Sequence, residues 1–134
     1  MKNLRRLAFK TLPLILIIFF AACSGDDSSE PVAPDYSSDK LVGKWKLVGF
    51  ETFDSGDYIP IDDNMTVYEF SGNGGGKYYL SATSSFDLTW QNLGNSVYHA
   101  SHYGGDWTLP VEFQDNDNTI RIEDSDSASY YERK

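Results

Sequence analysis

His99 and His102 are the only histidines in the chain, so any imidazole chemistry must pass through them. Three residues apart on an alternating strand, they point to opposite faces, which prevents them from chelating one metal together without a bulge. They read as two ordinary polar positions. Ser-His-Asp sets can be assembled on paper around either histidine, but nothing in the chain order selects one and no nucleophile elbow is present. The run Gly72-Asn73-Gly74-Gly75-Gly76 lacks the helix N-terminus that a phosphate cradle needs, because Lys77-Tyr78-Tyr79-Leu80 continues as a strand. It reads as a turn. Asp115-Asn116-Asp117-Asn118 offers oxygen ligands at alternate positions without the glycine and distant glutamate of a calcium loop, and reads as a solvated hairpin. The chain holds 20 Asp and Glu, yet no spacing isolates a catalytic pair. No catalytic residue, metal or cofactor is expected, and the chain does not read as an enzyme.

The compositional excess is aromatic. Residues 40–134 hold Trp45, Trp90, Trp107, eight tyrosines and five phenylalanines. Rings of this kind fill a core and also suit sugars or apolar small molecules. Tyr78 and Tyr79 are adjacent, as are Tyr130 and Tyr131, so on strands each pair divides between the two faces. Cys23 is the single cysteine, which excludes an internal disulfide.

Residues 1–27 explain that cysteine. Lys2, Arg5, Arg6 and Lys10 precede an apolar run over residues 12–22, which is shorter than the roughly 20 residues a spanning helix needs. Phe20-Ala21-Ala22-Cys23 resembles the bacterial lipobox, with Phe20 where the usual pattern has Leu. Phe20 also argues against ordinary signal peptidase, which wants a small residue there. The resemblance implies a lipoprotein signal peptide over residues 1–22 and lipid attachment at Cys23. Ser24-Gly25-Asp26-Asp27 is similar to the surface-export signal of Bacteroidota lipoproteins. The expected location is therefore the outer membrane, lipid-anchored and surface-exposed. Residues 23–39, rich in Ser, Asp and Pro, are expected to form a flexible tether with an r.m.s. span of about 20 to 25 Å.

The formal net charge is −9, and the four cations of residues 1–22 mask a stronger acidity beyond them. Seven Lys and Arg then face twenty Asp and Glu, a balance that repels phosphate backbones and excludes nucleic acid as a partner. Residues 40–134 make one small domain.

Alternation of apolar and polar residues supplies the elements. Phe86-Asp87-Leu88-Thr89-Trp90-Gln91 puts Phe86, Leu88 and Trp90 on one face; residues 107–113 and 119–123 repeat the pattern. Candidate strands cover 44–52, 58–61, 66–71, 76–82, 86–93, 97–103, 107–114, 119–123 and 129–134, with 58–61 short enough to be a loop. Gly, Asn and Asp clusters separate them at a spacing typical of antiparallel hairpins. Pro110 has no amide proton and marks a strand edge or bulge. A meander of this kind must hide its edges, so the expected fold is all-β, a small antiparallel up-and-down barrel of about eight strands, with a two-sheet sandwich as the alternative.

Leu41-Val42-Gly43-Lys44-Trp45-Lys46-Leu47-Val48 resembles the opening strand of lipocalin-like domains of Bacteroidota lipoproteins, with their Gly-x-Trp. Phe70-Ser71-Gly72-Asn73-Gly74, the Trp90 strand and Tyr130-Tyr131-Glu132-Arg133 are similar to later parts of that pattern. The resemblance implies a lipocalin-like barrel whose signature is Gly43, Trp45 and Arg133, with Arg133 lying across the Trp45 ring. Long loops and the C-terminal helix of lipocalins are absent, which points to a shallow mouth rather than a deep cup.

Inward positions are mostly large: Trp45, Leu47, Tyr68, Phe70, Leu88, Trp90, Trp107 and Leu109. A small apolar or glycan ligand is expected at Tyr68, Trp90 and Trp107, and a protein-interaction or inhibitory module on a solid barrel is the alternative. Oligomeric state is not readable from the sequence. Because Cys23 holds the only sulfur available for thioether formation, Cys23→Ala should abolish fatty-acid labelling and release the protein from membranes. Undiminished labelling of that variant would overturn the assignment.

Overall fold

The computed structural model describes residues 32–62 and 66–134. The signal segment, Cys23 and the expected tether up to residue 31 lie outside the described residues. Nine antiparallel strands follow one another: β1 (Gly43–Thr52), β2 (Tyr58–Pro60), β3 (Val67–Phe70), β4 (Gly75–Tyr79), β5 (Ser85–Gly94), β6 (Val97–His102), β7 (Gly105–Gln114), β8 (Thr119–Glu123) and β9 (Ser127–Arg133). From β3 onward each pairs with the next in sequence, and β9 returns to pair with β1. The result is a closed eight-stranded barrel with β2 as a ninth strand outside the ring. No helix occurs among the described residues.

The short 58–61 segment is thus a strand, not a loop. It lies end to end with β3 along one edge of β1: β3 covers Gly43 to Lys46, and β2 covers Gly49 to Glu51. Tyr58 secures it by donating its hydroxyl to the Val48 carbonyl (3.2 Å) and meeting the Tyr130 ring edge-on at 5.5 Å.

Register explains why the alternating residues become one core. Trp45 faces Tyr68, Tyr68 faces Tyr78, Leu88 faces His102, Trp90 faces Ala100, and Ala100 faces Trp107. Further round, Val111 faces Ile122, and Ile120 faces both Phe113 and Tyr131, which closes onto Leu47. Because side chains alternate with period two, this register sends one set inward and leaves the other wet. The inward set is buried, with Trp45, Leu41, Ala100 and Ala128 at 0 % exposure. Pro110 occupies the rung where β7 changes partner, paired with β6 up to that point and with β8 from Val111 onward. A residue without a backbone donor suits that junction.

One end of the barrel is plugged. Leu41 sits in the core, and the Trp45 indole N–H donates to its carbonyl at 2.7 Å. The Arg133 guanidinium lies 4.3 Å from the centre of the Trp45 ring and donates to the carbonyls of Val42 (2.9 Å), Lys40 (2.8 Å) and Asp117 (3.1 Å). Gly43 makes room for that head: its φ is +137°, and a Cβ there would stand 2.6 Å from Arg133 Nη1.

The tether ends earlier than residue 39. Tyr36 lies against Trp90 (ring centroids 4.7 Å apart) and donates its backbone N–H to Gly72. Asp39 accepts from the Tyr98 hydroxyl (3.0 Å), the Leu41 backbone (2.8 Å) and the Asn92 amide. These bonds make residues 36–42 part of the barrel end. The 115–118 turn is a hairpin in which Asp115, Asn116 and Asp117 all have φ between 50° and 66°, a conformation Asp and Asn tolerate best after glycine.

Removing the indole from so enclosed a position should cost about 3 to 5 kcal/mol, as large-to-small core changes do. Trp45→Ala is therefore expected to shift the denaturation midpoint strongly, and Arg133→Ala by about 1 kcal/mol through lost cation-π contact. A midpoint unmoved in Trp45→Ala would contradict the packing described.

Candidate functional site

The other end is a mouth, framed by the connections at 53–57, 80–84, 103–104 and 124–126. Inward side chains of β3, β4, β6, β7 and β9 bring five rings together beneath it. Tyr68 is central: Tyr78 stacks on it at 4.7 Å, Tyr131 meets it at 5.6 Å, His102 at 5.9 Å and Trp107 edge-on at 6.3 Å. Tyr78 and His102 are themselves 4.4 Å apart. Tyr68 and Tyr131 are buried, while Tyr78, His102 and Trp107 are half-buried and turn the cluster toward the opening.

Among the expected ligand-binding residues, the structure brings Tyr68 and Trp107 together and separates Trp90 from both. Trp90 is 2 % exposed at the plugged end, packed between Tyr36 and Phe70, with its N–H donated to the carbonyls of Ser71 (2.9 Å) and Gly75 (3.1 Å). It is core. Tyr78, His102 and Tyr131 take its place at the mouth. Their signal was the alternation itself, since Tyr78 and Tyr131 share the inward face with the buried residues of their strands, and His102 shares it with Tyr98 and Ala100.

Burial sets the chemistry of the cluster. Burial first, and the adjacent Tyr78 second, push the Tyr68 phenol up to about 12. Burial likewise raises Tyr78 and, far more, Tyr131, and it lowers His102. The Gly104 backbone N–H donates to His102 Nδ1 at 3.1 Å, which places the imidazole proton on Nε2. Nε2 then faces the Tyr68 hydroxyl at 3.4 Å. Every ring of the cluster is thus neutral near pH 7. His99, by contrast, lies on the outer face against the Thr108 hydroxyl (2.8 Å).

Neutral aromatic faces and weakly engaged hydroxyls make a stacking and hydrogen-bonding surface. The rim adds apolar area, with Phe53, Tyr58, Ile59 and Leu80 between 40 % and 51 % exposed and Tyr103 at 84 %. Tyr103 stacks flat on Phe86 at 4.9 Å, which extends the aromatic surface outward from the cluster.

The native state holds phenolic protons that the unfolded chain releases near pH 10, so stability is intact below about 10 and is lost as pH rises toward about 12. Thermal midpoints measured at rising pH should fall across that window, and Tyr131→Phe should lessen the fall. A flat alkaline profile in the parent protein would contradict the burial of these phenols.

No protein-family model and no curated protein matches the sequence. Among solved structures the chain is similar to a lipocalin-like protein from Bacteroides uniformis, with a TM-score of 0.58 and 18 % identity over 71 % of this chain and 99 % of the other. The closed meander, its Gly43-Lys44-Trp45 opening and this neighbour together establish that the chain has the lipocalin-like fold.

Proposed function

We propose that the protein is a non-catalytic binding module, anchored to the outer membrane through Cys23 and surface-exposed, whose barrel mouth takes a small apolar molecule or a glycan. The observation that carries this reading is the five-ring cluster of Tyr68, Tyr78, His102, Trp107 and Tyr131 at one end of a barrel sealed at the other. Ring faces stack on apolar bodies and on the C–H faces of sugars, and phenol hydroxyls orient polar groups. A fold whose neighbour is lipocalin-like supports such a site. The cluster pairs no nucleophile with a base, which favours binding over catalysis.

Anchorage rests on residues 20–27, and the tether meets the domain at the plugged end, opposite the mouth. Two or more acyl chains at about 0.8 kcal/mol per buried methylene would hold the protein stably. A second reading, docking of another protein on the barrel, is favoured by the exposed rim residues Phe53, Tyr58, Ile59, Leu80 and Tyr103.

The test is a titration of the full chain, in non-ionic detergent, with fatty acids, sterols and oligosaccharides. A ligand at the mouth should change tryptophan emission through Trp107, and Trp107→Phe should remove most of that response, because Trp45 and Trp90 lie enclosed at the far end. If no ligand moves emission or melting temperature while a partner protein co-purifies, the protein-docking reading replaces this one.

A further inference from the structure

The charge around the mouth is one-sided. The connections that frame it carry Asp54, Asp57, Asp124 and Asp126, Asp106 opens β7 beside them, and none of these connections contains Lys or Arg. All five aspartates are exposed, and among the described residues none forms an ion pair. The cations on neighbouring strand positions are engaged: Lys77 with Asp87, and Arg121 with Glu112 and Glu123. Lys40 and Arg133 stand at the plugged end instead.

A second feature lies inside the opening. Tyr131 is 8 % exposed, yet its hydroxyl makes no hydrogen bond among the described residues. Its ring projects into the cluster beside Tyr68, and the phenols of Tyr68 and Tyr78 both raise its pKa. A buried phenol left without a partner is costly unless a bound group or water completes it, and its oxygen is an acceptor. The cluster holds no cation that could neutralise an anionic ligand, since His102 is neutral.

From these features we infer that the mouth selects an organic cation, an apolar or aromatic body carrying a protonated or quaternary amine. The negative ring faces of Tyr78, Trp107 and Tyr68 attract such a head, the Tyr131 oxygen accepts from an ammonium N–H, and the aspartates around the opening raise the local concentration of cations. Anionic amphiphiles, fatty acids among them, meet only repulsion there. This inference rests on the mouth being the binding site.

Phenyltrimethylammonium, its uncharged isostere tert-butylbenzene, and benzoate are the probes. Each is titrated into the full chain in non-ionic detergent at low and high salt, with tryptophan emission as the readout. The expected result is binding of the cation about ten-fold tighter than the isostere, none of benzoate, and a preference that shrinks as salt screens the aspartates. Replacing Asp54, Asp57, Asp106 and Asp126 together by Asn should reduce the preference several-fold and leave the isostere unaffected, and a matching melting curve shows that the variant is folded. Tyr78→Leu should remove most of it as well. Equal or tighter binding of the isostere or of benzoate overturns the inference, and the binding reading stands if those probes still act through Trp107. If neither these probes nor fatty acids, sterols and oligosaccharides move emission, both fall.

Discussion

Return of β9 to β1 is the interaction on which the rest of the molecule depends, because it converts a nine-strand meander with two open edges into a closed wall. The pairing runs from Trp45 opposite Arg133 to Thr52 opposite Ser127, with a bulge between Leu47 and Gly49. That extra residue resets the alternation. Before it Trp45 and Leu47 face inward; after it Phe50 does, while Gly49 turns outward beneath the Tyr58 ring. Without closure, the inward faces of β1, β3 and β9 would be exposed edges of a small sheet, prone to pair with other chains.

Closure also divides the interior into two chemistries. At the plugged end polar atoms are matched: the Trp45 and Trp90 indoles reach carbonyls, Asp39 takes three donors, and Arg133 answers three carbonyls. Matched groups of this kind fix one arrangement, since separating any one of them strands its partner in a dry site. At the mouth the rings are as close, but their hydroxyls are sparsely matched. The only contacts there within reach of a hydrogen bond to a side chain among the described cluster residues are Tyr68 to His102 and, from the backbone, Gly104 to His102. Rigidity is concentrated at one end and unused binding capacity at the other.

Most of the strands were legible because each has a dry face and a wet face, so that Phe86, Leu88 and Trp90, or Trp107, Leu109 and Val111, alternate with polar neighbours. Turns were legible where Gly, Asn and Asp cluster. The separation of Trp90 from Trp107 was not. Both are inward by alternation and both pair with Ala100, yet strands in a barrel are tilted, so residues on one rung stand at different heights. Tilt and stagger are properties of the closed ring, and a period of two carries no information about them. Residues 36–39 were hidden for a related reason. Their composition is that of a solvated segment, while the bonds that fix Asp39 go to Asn92 and Tyr98, 53 and 59 positions away.

The position of the plug has a mechanical consequence. Any pull exerted through the chain preceding Tyr36 is borne first by the Tyr36 bond to Gly72, then by the Asp39 bonds to Asn92 and Tyr98, and next by Leu41 beneath the Trp45 indole. These contacts load one after another, like stitches in a seam, before tension reaches β1. The five rings at the opposite end lie off that line of force. The barrel can be tugged by its leash with its opening undistorted.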